Sequence, residues 1–286
     1  MDEYVISPIA LNQLIQTSSP QEVCILDCRF SLADAKAGKQ AYLDGHIPGA
    51  HYCDLEEHLS APVCEHGGRH PLPTTKELTA FFASCGINST SQVIVYDDSK
   101  MAFASRCWWL LKYMGHDSVK ILNGGYSAWT NFGLSMETSI PSKSSGSFSP
   151  AAPLMEICNL DEVKQKSTQS IIDLIDSREK KRYLGEEEPI DPVAGHIPGA
   201  ACSPWQLVTN EKGEIQDQTW HNNHWDNLIS QNSTEDIIVY CGSGVTACVN
   251  IFSMTIAGLG SRIKLYPGSW SDWCSYPELP VARKNV

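Results

Sequence analysis

No apolar run in the 286-residue chain is long enough to span a bilayer, so a helical membrane protein is excluded. The opening Met1-Asp2-Glu3-Tyr4-Val5 is acidic and lacks the basic-then-apolar pattern of a secretory signal, which places the expected compartment in the cytoplasm. Basic residues are scarce. Lysine and arginine number 21 against 33 acidic residues, a formal net charge of −12. That balance excludes general nucleic-acid binding and provides no basic patch for a membrane surface. An anionic small molecule would have to be held locally, by arginines or amides, against the overall field. Metal-ligand spacing is missing too. His221, His224 and Cys64-Glu65-His66 do not fall at zinc intervals, so neither a metal nor another cofactor is expected.

The length is enough for two domains with real cores, and the composition is that of a globular protein. Eleven cysteines without an export signal suggest free thiols in a reducing compartment rather than a disulfide framework. The Asn88-Ser89-Thr90 and Asn232-Ser233-Thr234 sequons then carry no meaning.

The chain is organised around Ile237-Ile238-Val239-Tyr240-Cys241-Gly242-Ser243-Gly244-Val245-Thr246-Ala247. Four apolar residues with β propensity read as a buried strand closed by Cys241. Gly242, Ser243 and Gly244 make a permissive turn, and from Val245 apolar residues recur at helical spacing through Val249, Phe252 and Ile256. Amides without intrahelical partners gather at such a helix entrance, where the dipole adds positive charge. A free thiol is only a few per cent ionised at pH 7, and about 2 kcal/mol brings it to half. A helix mouth and several amides can supply that. A cysteine at a strand end is ordinarily an inert core side chain. The bare glycine loop after Cys241 argues instead for a nucleophile open to its substrate.

Taken in order, the chain repeats itself. Val23-Cys24-Ile25-Leu26-Asp27-Cys28-Arg29 is matched by Ile171-Ile172-Asp173-Leu174-Ile175-Asp176-Ser177-Arg178, and Gly45-His46-Ile47-Pro48-Gly49-Ala50 by Gly195-His196-Ile197-Pro198-Gly199-Ala200. Ile94-Val95-Tyr96 returns as Ile238-Val239-Tyr240, and the segment ending at Trp129 returns in the one ending at Trp273, both at an offset of 144 (240 − 96 and 273 − 129). A repeat of this length is a tandem domain. Strands alternating with helices predict two α/β domains, each a mainly parallel sheet flanked by helices, with sites at the carboxyl ends of the strands. The expected division is 1–138, a Ser/Pro-rich linker at 139–153, and 154–286.

The offset places Asp97 where the second half has Cys241, followed by Asp98-Ser99-Lys100 with no glycine-rich cradle. An aspartate cannot do thiol chemistry, so the first domain is expected to be catalytically silent.

These motifs, covering essentially the whole chain, resemble the rhodanese superfamily in its two-domain sulfurtransferase form. The loop Cys241 to Ala247 is similar to that of 3-mercaptopyruvate sulfurtransferases, whereas thiosulfate-type members usually place cationic side chains after the cysteine. The resemblance implies that the Cys241 thiolate takes a sulfur from a small-molecule donor as a persulfide, with Gly242, Gly244, Val245 and Thr246 forming the binding loop. A thiol such as thioredoxin, or cyanide, then removes it. It implies a relay of Ser243, His70 and Asp54, whose ordinary alternative for His70 is a loop histidine bonded to backbone. It also implies that Arg182 clamps the donor's anionic group, while Arg178 and Arg29 brace strand ends. The chain departs from the pattern at Glu188-Pro189-Ile190-Asp191-Pro192, where mercaptopyruvate enzymes often carry a second arginine. Thiosulfate is therefore the alternative donor, and a non-catalytic persulfide carrier a remoter reading. Phosphatase chemistry on the same fold needs an arginine six positions after the nucleophile, and that residue is Ala247. Trp108, Trp109, Trp129, Trp270 and Trp273 read as packing, and Cys248 as helix packing or a resolving thiol.

Overall fold

The computed structural model describes residues 1–19, 21–141, 146–168, 174–229 and 236–283. Part of the linker (142–145), the start of the second repeat's first strand (171–173) and the Asn232 sequon lie outside the described residues. Two compact units form. One comprises Met1–Ala61, Pro73–Leu154 and Thr209–Ile215; the other comprises Pro62–Leu72, Met155–Val208 and Gln216–Val286. Each unit thus takes a short segment from the other half of the sequence.

The first unit runs β1 (Val5–Ile6), α1 (Pro8–Thr17), β2 (Val23–Asp27), α2 (Ala37–Asp44), β3 (Ala50–Tyr52), α3 (Thr75–Ser84), β4 (Gln92–Tyr96), α4 (Ala104–Tyr113), β5 (Val119–Leu122) and α5 (Gly125–Asn131). The second runs β6 (Glu156–Ile157), α6 (Leu160–Ser167), β7 (Leu174–Asp176), α7 (Lys180–Tyr183), β8 (Ala201–Cys202), α8 (Gln218–Leu228), β9 (Ile237–Tyr240), α9 (Ala247–Ile256), β10 (Ile263–Leu265) and α10 (Ser269–Trp273). The sheets have the same order, β1-β5-β4-β2-β3 and β6-β10-β9-β7-β8. Their strand pairs are parallel. A parallel sheet covered on both faces needs strands apolar throughout, and Ile237–Tyr240 is buried at every position.

Helix starts follow from local chemistry. Thr74 and Glu77 form a reciprocal capping box on α3, and Asn159 and Glu162 do the same on α6. The paired Gly-His-Ile-Pro-Gly-Ala segments do structural work. His46 stacks on Tyr42 and His196 on Tyr183, with centroids 3.9 and 3.7 Å apart. The Ile47 and Ile197 amides donate to the hydroxyls of Tyr96 and Tyr240, tying each segment to a central strand. Arg29 and Arg178 hold Asp27 and Asp176 through paired hydrogen bonds and donate to the carbonyls of Gly45 and Gly195. They brace the strand ends, as their sequence position suggests. The five expected packing tryptophans are fully buried.

The two-residue strands β1 and β6 and the helices α2 and α8 carry too little apolar periodicity to be read from sequence. Helix α8 is instead started by Asp217, whose carboxylate accepts from the Trp220 amide at 2.8 Å. Its His221 ring is buried between Ser253 Oγ (2.7 Å) and the Gln216 carbonyl (3.1 Å), and burial lowers its pKa from 6.5 to about 4. Protonation then favours the unfolded chain. The contribution is complete above pH 6.5 and is lost as the pH falls toward 4. The urea midpoint should decline across that window in wild type, and His221→Gln should flatten that part of the decline.

Candidate active site

Strand β9 ends at Tyr240 and delivers Cys241 to the carboxyl edge of the second sheet. Helix α9 begins at Ala247, two residues beyond the expected Val245, because the loop from Cys241 to Thr246 is needed to turn the chain. Gly244 has φ of +76°, and a Cβ there would lie 2.4 Å from the Pro267 carbonyl oxygen. The loop is anchored to α10: the Cys241 amide donates to Ser269 Oγ, while the Trp270 and Ser271 amides donate to the Cys241 and Gly242 carbonyls. Cys241's own N–H is therefore spent on the scaffold. The amides of Gly242, Ser243, Val245, Thr246 and Ala247 meet no protein acceptor among the described residues. Buried amides in that condition suit an anion.

The first unit shows what such a loop does with an anion of its own. Asp97 is buried, and its carboxylate accepts from Ser99 and Met101 on one oxygen and from Phe103 and Ala104 on the other, at 2.8–3.1 Å. Burial raises its pKa while those four amides oppose the rise. Although the segment lacks the expected glycines, a cradle still forms, because Lys100 and Met101 adopt φ of 55° and 69°. The loop is filled by the side chain that stands at the position of Cys241.

Cys241 is only 1% exposed. The thiol is enclosed, not open as the glycine loop led one to expect, and two guanidinium groups approach the neighbouring Gly242. A Cβ on Gly242 would lie 2.9 Å from Arg69 Nη2 and 3.5 Å from Arg182 Nη2. Glycine at 242 is what lets both arginines approach the loop. Arg182 is the arginine that the resemblance assigns to the donor. Its Nε and Nη2 engage Glu188, and Nη2 also reaches Asp191 at 3.1 Å. Arg69 was not singled out from sequence. It pairs with Asp191, and Cys241 acts on its charge, favouring the guanidinium against a larger opposing effect of burial. The Glu188–Asp191 loop supplies no arginine, but two carboxylates that hold two arginines from elsewhere.

Segment 62–72, which carries Arg69, is itself clamped. Gly67 donates to Asp272, Arg69 N–H to Ser271 Oγ, and His66 bonds Ser275 Oγ. Gly68 has φ of +83° and would clash with the Gly268 carbonyl if it bore a Cβ. The consecutive glycines before Arg69-His70 were the available sequence signal. His70 is brought to Ser243, with Nδ1 and Oγ sharing a hydrogen bond of 2.7 Å, both residues buried. Asp54 belongs to the first unit, where its carboxylate accepts from the Glu56 and Glu57 amides and the Tyr52 hydroxyl. Val245 is buried and Thr246 half-buried. Cys248 faces back along its helix to the Gly244 carbonyl at 3.4 Å. His221 and His224 bond Ser253 and Ser203, respectively.

Each half is a parallel α/β unit with a strand-to-helix loop at the carboxyl edge of its sheet, one loop carrying a cysteine and the other filled by a carboxylate. The rhodanese-like domain model matches residues 7–132 and again 159–276. The chain belongs to the rhodanese family and is a sulfurtransferase. It is 40% identical over 276 residues to a probable 3-mercaptopyruvate sulfurtransferase of Pseudomonas aeruginosa, covering 96% of this chain and 97% of that one. It is 38% identical over 285 residues to SseB of Mycobacterium tuberculosis, named for thiosulfate sulfurtransfer, covering 98% and 97%. The crystal structure of SseA from Escherichia coli, described with 3-mercaptopyruvate enzymes, superposes with a TM-score of 0.81 at 30% identity, covering 94% and 99%.

Proposed function

We propose that the chain moves the sulfur of 3-mercaptopyruvate to a thiophilic acceptor through a persulfide on Cys241. The Cys241 thiolate attacks the donor sulfur, forming an S–S bond. The C–S bond breaks, its electron pair leaves as pyruvate enolate, and a proton completes pyruvate. An acceptor thiolate or cyanide then attacks the outer sulfur and returns the Cys241 thiolate. Thioredoxin is the kind of thiol acceptor expected in the cytoplasm, and the eleven free cysteines fit a reducing compartment.

The observation that carries the reading is the 2.7 Å contact of Ser243 with His70, two residues from the nucleophile. An enolate needs a proton, and a hydroxyl in contact with an imidazole can deliver one. The resemblance assigns Asp54 as the relay's third member. Arg182 is assigned to the donor carboxylate, beside the amides of Gly242, Ser243, Val245 and Thr246, which meet no protein acceptor among the described residues.

Thiosulfate is the second reading, and the two guanidinium groups beside Gly242 favour it. Sulfite leaves as a stable dianion that requires cations and no proton. Ser243→Ala should therefore separate the donors. Its kcat with mercaptopyruvate should fall about 10²- to 10⁴-fold, the usual scale for general acid–base catalysis, while thiosulfate turnover holds. Equal losses with both donors would reject the proton role. A wild-type mercaptopyruvate-to-thiosulfate rate ratio below one would reverse the donor order, and stoichiometric loading without turnover would favour a carrier.

A further inference from the structure

The first unit holds a second group of thiols that the sulfur-transfer chemistry does not use. Cys28, Cys53 and Cys107 are buried, and their Sγ atoms all lie within 4.8 Å of one another. Each comes from a different element: Cys28 follows β2, Cys53 follows β3, and Cys107 is the fourth residue of α4.

The repeat supplies an internal control. The Cys28 amide donates to the Tyr96 carbonyl, as the Ser177 amide donates to that of Tyr240. The Cys53 amide donates to Asp27 as that of Ser203 does to Asp176, and Asn250 is the fourth residue of α9. In the second unit these three positions form a hydrogen-bonded set, with Asn250 Nδ2 donating to Ser177 Oγ at 2.9 Å and to the Ser203 carbonyl at 2.7 Å. In the first unit all three are cysteine, so a polar network has been exchanged as a whole for three convergent sulfurs.

We propose that Cys28, Cys53 and Cys107 form a binding site for a monovalent soft cation, Cu(I), held in a three-coordinate all-sulfur plane. A trigonal centre with metal–sulfur bonds of about 2.3 Å requires sulfurs about 4.0 Å apart, and Cys53 and Cys107 are separated by 3.9 Å. Zinc requires a fourth ligand, and the group has three members among the described residues. Asp97 is near enough to act on Cys28, but both its oxygens are engaged by amides. Soft thiolates without imidazole or carboxylate select Cu(I). Burial opposes ionisation at all three positions, yet hydrogen bonds from the Cys28 and Cys53 thiols draw Cys107 below the ordinary thiol value. Binding forms three Cu–S bonds and releases the thiol protons to water. No electron is transferred, because the ion arrives as Cu(I).

The test uses full-length Cys241→Ser protein, so that the catalytic thiol is not counted, titrated anaerobically with Cu(I) against a chromophoric chelator. One equivalent should bind ahead of the chelator, with the emission of a solvent-shielded copper–thiolate centre and an X-ray absorption shell of three sulfurs. Cys107→Ala and Cys53→Ala should each weaken that phase by about 100-fold or more, whereas exposed Cys64→Ala leaves it intact. Cys107→Ala in the otherwise native enzyme should retain sulfur transfer, which reports folding. A two-coordinate or nitrogen-containing shell, or an equivalent lost in Cys64→Ala, overturns the proposal. So does tight binding that survives both core substitutions. The absorption shell is read on the intact trio and decides the matter even where a variant misfolds.

Discussion

Cys241→Ser should reduce turnover with either donor by on the order of 10³-fold or more, the scale seen when the nucleophile of a catalytic unit is removed. A serine hydroxyl in the same loop cannot follow the same route. Its proton is held far more tightly than a thiol's, and a weak S–O linkage would replace the persulfide. The scaffold should be unaffected, because the interactions that place residue 241 are made by its backbone with Ser269 and Trp270. Intact-mass measurement gives the sharper readout. Wild type exposed to donor should gain one sulfur, about 32 Da, mapping to the peptide with Cys241 and to none of the other cysteines. The variant should gain nothing at an unchanged unfolding midpoint. An adduct elsewhere, or a variant that still turns over, would remove Cys241 from the reaction.

Much of this was legible in the sequence because it rests on local chemistry. The two Gly-His-Ile-Pro-Gly-Ala segments and the apolar strand before Cys241 each state their structure within ten residues. The repeat extended that legibility to function, since Asp97 at the position of Cys241 predicts that one half is silent. What Asp97 does instead was not legible. Its cradle is built on Lys100 and Met101 at positive φ, a conformation that side chains rarely adopt and residue type does not announce.

Arg69 escaped for a different reason. Its place beside Gly242 depends on segment 62–72 being clamped to α10 by Asp272 and Ser271, contacts about 200 residues apart in sequence. The missing arginine of the Glu188-Pro189 loop was visible, but not what takes its place. Periodicity reports which face of an element is buried; it does not report which distant loop packs there. The three-cysteine group was hidden in the same way, since Cys28, Cys53 and Cys107 share no spacing and meet only when the strands are ordered.

Substitution of the two arginines tests whether they act as one anion clamp. Arg182→Ala should raise KM for mercaptopyruvate about 10- to 100-fold, as loss of charge-assisted hydrogen bonds worth about 1.5–3 kcal/mol requires. Arg182→Lys should rescue little, because an ammonium cannot reproduce the planar fork. Arg69→Ala should have a smaller effect in the same direction, its side chain being 29% exposed against 13% for Arg182. The double variant should lose less than the product of the two single losses. Both guanidinium groups lean on Asp191, so removing one already frees the other to shift, and neighbours sharing a partner are not additive. Steady-state KM and kcat for the three variants complete the cycle. If KM is unchanged in Arg182→Ala, the donor's carboxylate is held by the amides alone, and the arginines serve only the Glu188 and Asp191 charges beneath them.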